Sequence, residues 1–63
     1  MDANQIINAF IRGYKSRARR EMTDREIATR HPEMTPDERQ AYANGQIDRL
    51  AGDTTRAKLL GTV

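Results

Sequence analysis

Arg12, Lys15, Arg17, Arg19 and Arg20 place five cationic side chains within nine residues, with Tyr14 among them. Guanidinium groups form planar, bidentate hydrogen bonds to phosphate or carboxylate and are weakly hydrated, so an arginine-rich stretch suits an anionic partner. The same spacing also makes a solvated helix face, balanced by acids elsewhere in the fold. The net charge of +2 conceals an asymmetry: residues 1–20 hold five bases against the single acid Asp2, whereas the remainder holds six bases and eight acids. Arg12, Lys15, Arg19 and Arg20 are therefore candidate contacts to a nucleic-acid backbone, with Tyr14 as a stacking group beside them. Tyr14 shares a helix face with Phe10, however, which favours a core position for it.

Other reactive chemistry is sparse. There is no Cys, so neither a disulfide framework nor a thiolate zinc site is available. Ser16 is the one serine, and His31, the one histidine, stands before Pro32 with no second histidine at ligand spacing. Asp37 and Glu38 fit first-turn acids that complement a helix dipole rather than a catalytic pair. The four glycines form no phosphate-cradling loop. A non-enzymatic protein is expected, with no metal, no cofactor and no small-molecule substrate.

The elements that must carry these residues read as helices. Ala3, Ile6, Ile7, Phe10, Ile11, Tyr14, Ala18 and Met22 recur at spacings of three and four, one face of a long first helix. Asp2 with Gln5 forms a capping-box pattern at its start. Arg17 is the one cation on the apolar side, placed to snorkel or to pair with an acid of a second helix. Gly13 lies within this helix and reads as a tolerated surface glycine in preference to a point of close approach. Thr23 with Glu26 is a second capping box, flanked by Met22 and Ile27 as a hydrophobic staple. Either a new helix starts at Thr23 or the first runs through with a kink, and helix ends near Arg30 because Pro32 disfavours the helical region at His31.

Thr35-Pro36-Asp37-Glu38 is the strongest local signal: a threonine cap, proline at the first helical position, then two acids. A second long helix is predicted from Pro36 to about Ala51, continuous through Asn44-Gly45, with Ala43, Ile47, Leu50 and Ala51 as its apolar stripe. Gly52 closes it. Asp53, Thr54 and Thr55 cap a short C-terminal turn over residues 56–60. Thr23-Asp24-Arg25-Glu26-Ile27-Ala28 looks like the opening of a helix-turn-helix, but Pro32 stands in its turn and the next helix starts with acids, wrong for approaching phosphates.

An all-α helical hairpin follows, and its core is lopsided. Of fifteen apolar side chains larger than alanine, six lie on one face between Ile6 and Met22. A helix offering mainly Ile47 and Leu50 cannot cover them. Burial of a Phe or Ile is worth roughly 1.5–3 kcal/mol, so Ile6, Ile7, Phe10, Ile11, Tyr14 and Met22 are the predicted interface for a macromolecular partner. The arrangement expected is a homodimer packed as a helical bundle. The alternative is a monomer with Leu59, Leu60 and Val63 folded back as a lid. A protein partner ranks first and nucleic acid second.

As a short, Cys-free, Arg-rich chain of capped helices, the sequence resembles the small accessory proteins encoded in the early regions of temperate, lambdoid bacteriophages. That resemblance implies a host-directed regulatory role in the host cytoplasm and carries over no functional residue. A cytoplasmic location, without membrane attachment, is also what the absence of a long apolar run and of a signal-peptide pattern leads one to expect.

Overall fold

The computed structural model describes residues 3–62, and these form four helices. They are α1 (Ala3–Tyr14), α2 (Asp24–Arg30), α3 (Pro36–Ala51) and α4 (Thr55–Leu59). The expected Asp2 cap and the fold-back of Val63 lie outside the described residues. The all-α class holds, and no described residue is in a strand.

The caps fall where side-chain chemistry places them. Thr23 and Thr35 each accept from the backbone N–H three residues on, and Glu26 and Glu38 reach back to the cap N–H, completing both boxes. Pro36 opens α3, and Gly52 closes it with a left-handed φ of 70°. The last turn is capped by Asp53, whose Oδ1 accepts from the Thr55 N–H at 2.9 Å; Thr54 makes no side-chain cap.

Two sequence expectations are corrected. The first helix ends at Tyr14, well before Met22, and of the two alternatives at Thr23 the chain takes the new helix, with Thr23 as its cap. The Ser16 hydroxyl donates back to Gly13 O at 2.8 Å, and Arg17 takes φ of 57°, turning the chain away from the helix axis. Ala18 and Met22 continued the helical spacing, yet Met22 reaches the core from an irregular segment. Arg17 consequently does not project from an apolar helix face; it is exposed at the turn.

The second correction concerns the face of α3. Its predicted stripe points largely outward, with Ile47 40% and Leu50 44% exposed. The face against α1 is Ala41, Tyr42, Gly45 and Asp48. Two glycines determine this choice. A β-carbon on Gly13 would overlap the Tyr42 carbonyl oxygen and lie 2.8 Å from its carbon, and one on Gly45 would overlap Phe10 O and lie 2.6 Å from Tyr14 N. Backbone thus meets backbone where α1 crosses α3. Pairing of Gly13 with Tyr42 and of Phe10 with Gly45 runs the helices in opposite directions across the contact.

Around this crossing Ala9, Phe10, Tyr14, Ile27, Met34, Ala41, Tyr42 and Ala57 form the core, with Ile6, Met22, Ala43 and Leu60 packed at its margin. Polar groups near it are paired. Asp48 is buried and takes both Arg56 Nε (2.8 Å) and Nη2 (2.7 Å), while the Arg56 guanidinium sits 5.1 Å from the Phe10 ring centroid. The hydrogen bond to Asp48 is the main reason the Arg56 pKa is raised. Leu60 packs beside α4 as a lid would, but Leu59 is 82% exposed.

Gly13→Ala and Gly45→Ala should each destabilise the protein by about 1–3 kcal/mol or more, because overpacking outweighs the roughly 1 kcal/mol by which alanine favours a helix. Urea denaturation followed by circular dichroism measures this. Stabilisation by either change would mean that the helices do not meet at these glycines.

Candidate functional site

The segment between α1 and α2, residues 15–23, carries most of the charge asymmetry. Its two ends are pinned by one side chain. Gln46, buried on α3, accepts from the Met22 N–H through Oε1 at 3.0 Å. Its Nε2 lies 3.3 Å from Ser16 Oγ, to which it donates, and 3.2 Å from Met22 Sδ. The residues between, including Arg17, Arg19 and Arg20, are held out from the core as an exposed bridge.

An open groove of about 640 Å³ lies beside this bridge, lined by Arg12, Lys15, Arg17, Arg30, His31 and Tyr42 among others, with no acid in its lining. Smaller depressions continue from it: one shares Ala18, Met22 and Arg30 and adds Arg19 and Arg20, and another adds Arg25. Glu26, paired with Arg20, lines both of these smaller depressions, so the cations from Lys15 to Arg30 border adjoining depressions that include one paired acid. Arg30 borders all three depressions.

The sequence-predicted cations divide into two kinds. Arg12 and Arg20 are engaged. Arg12 donates to His31 Nδ1 at 3.0 Å and lies 3.6 Å from Glu33, so His31 accepts through that nitrogen, and its ring packs on Tyr42 with centroids 5.0 Å apart. The Glu33 pKa is lowered, first by its own backbone N–H and then by His31 and Arg12. Arg20 binds Glu26 in a two-pronged pair at 3.0 and 2.7 Å. That pair, together with the Thr23 N–H, holds the Glu26 carboxyl at about 2.

Lys15 and Arg19 have no ion pair among the described residues, and neither do Arg17, Arg25 and Arg30. The last two escaped sequence reasoning because they lie in the acid-rich half. The available signal was capping chemistry: Glu26 is committed to a box and Asp24 pairs with Arg39 at 2.9 Å, leaving Arg25 and Arg30 unneutralised.

The predicted apolar interface is dispersed. Phe10 and Tyr14 are buried within the chain's own core. Arg49 covers Tyr14 at 5.5 Å from the ring centroid, which also removes Tyr14 as a stacking group. Ile6, Ile11 and Met22 are half-buried, and Ile7 alone of the six is exposed. No group of His, Cys, Asp and Glu able to hold a metal ion exists among the described residues, and no described helix is long and apolar enough to cross a membrane. No family model, curated protein or solved structure matches the chain.

Gln46→Ala should cost about 1–3 kcal/mol, the penalty for buried groups left without partners, and should speed exchange of the Met22 amide more than that of Ile27. Hydrogen exchange by NMR reads this; uniform acceleration would remove the local role of Gln46. The Glu26 carboxyl should titrate at about 2 instead of 4.5. Because its folded pKa is depressed, its stabilising contribution is complete above about pH 4.5 and lost as pH falls through about 2. Carbon-13 detection of the Glu26 side chain checks it, and an ordinary carboxylate midpoint would mean that Arg20 and Glu26 are apart in solution.

Proposed function

We propose that this is a non-enzymatic nucleic-acid-binding protein whose contact surface is the basic face running from Lys15 through Arg17 and Arg19 to Arg25 and Arg30. The observation that carries the reading is the unequal use of charge. Acids at Asp24, Glu26, Glu33 and Asp48 are spent on internal pairs, so along residues 15–30 five cations without an ion pair stand against one such acid, Glu21, among the described residues. Phosphate backbones bind such surfaces by releasing condensed counterions. Guanidinium groups, four of the five unpaired cations, match phosphate geometry in two-pronged contacts. A membrane surface fits less well, because no tryptophan is available to anchor the chain at a bilayer. Protein binding through Ile6, Ile7, Phe10, Ile11, Tyr14 and Met22, the first choice from sequence, yields to this reading because Phe10 and Tyr14 are inside and only Ile7 of the six is exposed. A regulatory task of the kind implied by the resemblance to lambdoid phage accessory proteins is compatible with it.

A second reading keeps one observation of its own. Ile47 and Leu50 stand exposed on the outward side of α3, with Ala51 beside them. A second copy of the chain, apposed by a two-fold axis along this stripe, covers both residues on both protomers, which moves the expected homodimer from α1 to α3. Light scattering over a concentration series tests it: mass should rise towards the dimer and fall for Ile47→Glu with Leu50→Glu, and a constant monomer mass would sink it.

The double variant Arg19→Glu with Arg30→Glu should reduce binding to a labelled DNA duplex at low salt by more than about tenfold, since two phosphate contacts become repulsive. Lys58→Glu, an equally exposed cation on α4, should have a much smaller effect. Fluorescence anisotropy measures both, with circular dichroism confirming the fold. Absence of binding by the unmodified protein at low salt would refute the proposal, and so would an equal loss from Lys58→Glu.

A further inference from the structure

Resting on the proposed nucleic-acid reading, we infer that the basic face engages the phosphate backbone of double-stranded nucleic acid and does not read its bases. The first support is the fate of the aromatic residues. The chain has one Phe, two Tyr and no Trp, and all three rings are buried. Phe10 lies beneath Arg56, Tyr14 beneath Arg49, and Tyr42 against His31. Proteins that hold unpaired strands stack successive bases on aromatic rings, and this surface offers no exposed Phe, Tyr or Trp and only the single part-exposed His31 imidazole, which is itself packed on Tyr42.

The second support is how the cations are mounted. Reading base edges in the major groove calls for an element that enters it and projects a row of side chains. Here three of the five unpaired cations sit on the irregular bridge and its approach, and two on α2. That helix has seven residues, about 10 Å at the helical rise. Arg25 and Arg30 are five residues apart, about 140° around its axis, so they do not form one row. Its first turn carries Asp24 and Glu26, which would face phosphates if the helix entered N-terminus first. Residues 15–30 contain no Asn or Gln, the side chains that pair with adenine in two-pronged fashion. What remains is a spread of positive charge, matched to the polymer with the densest regular phosphates.

The test is a salt titration of binding to two duplexes of unrelated sequence and to a single strand of the same length. Affinities for the two duplexes should differ by less than about fivefold, below the usual cost of one mismatched pair in a specific site. The duplex should bind more tightly than the single strand, and log K should fall with log salt at a slope of about −4.5 if all five cations engage. Arg19→Glu with Arg30→Glu should flatten that slope by about 2. Tighter binding of the single strand, or a clear preference for one duplex, would overturn this inference while leaving nucleic-acid binding standing. No binding to any of the three at low salt would overturn both.

Discussion

The contact between the backbones of α1 and α3 is the constraint from which the rest of the molecule follows. Gly13 and Gly45 remove the two β-carbons that would hold the helices apart. Once they touch, Tyr42, Ala41 and Asp48 must turn inward, and Ile47 and Leu50 must turn away. The hydrophobic effect alone would have chosen the opposite side of α3. Close approach prevails because Tyr42 contributes a large ring to the core and because the polar residues brought in with it are satisfied. Asp48 meets Arg56, Gln46 meets Ser16 and Met22, and no buried side-chain nitrogen or oxygen among the described residues lacks a partner.

The same contact organises the charged surface. Gln46 is buried only because α3 presents this side, and it is Gln46 that fastens both ends of the bridge. The left-handed backbone at Arg17, which costs a non-glycine residue about 1–2 kcal/mol, is sustained by those hydrogen bonds on either side of it. Arg20 and the Thr23 cap then take Glu26, Arg39 takes Asp24, and Lys15, Arg17, Arg19, Arg25 and Arg30 are left without an ion pair among the described residues.

Much of this architecture was legible in the sequence because it is written in local chemistry. Thr23, Thr35, Pro36 and Gly52 act within one turn of themselves, and the bounds of α3 follow from them. What was not legible depends on contacts distant along the chain. The end of α1 at Tyr14 requires Ser16 to be held by a residue thirty positions away, while Ala18 and Met22 keep a helical spacing that the chain does not use. The packing side of α3 is hidden because glycine, glutamine and aspartate do not look like a core until their partners are known. For the candidate site, Lys15 and Arg19 were evident from clustering, whereas Arg25 and Arg30 emerge only after the acids around them are assigned.

The bridge over residues 17–21 touches the scaffold through its two anchors and through the Arg20–Glu26 pair. Four of its five side chains are exposed, and Ala18 is half-buried. Fastened in this way, it resembles a cassette: Arg20 apart, what lies between Ser16 and Met22 can be exchanged with little disturbance to the helices beneath. Surface charge and foldability are then separable properties of the chain. Substitutions in the bridge can alter the charge of the surface without passing through an unfolded intermediate sequence, so the scaffold can display a peptide of a different charge in the same place.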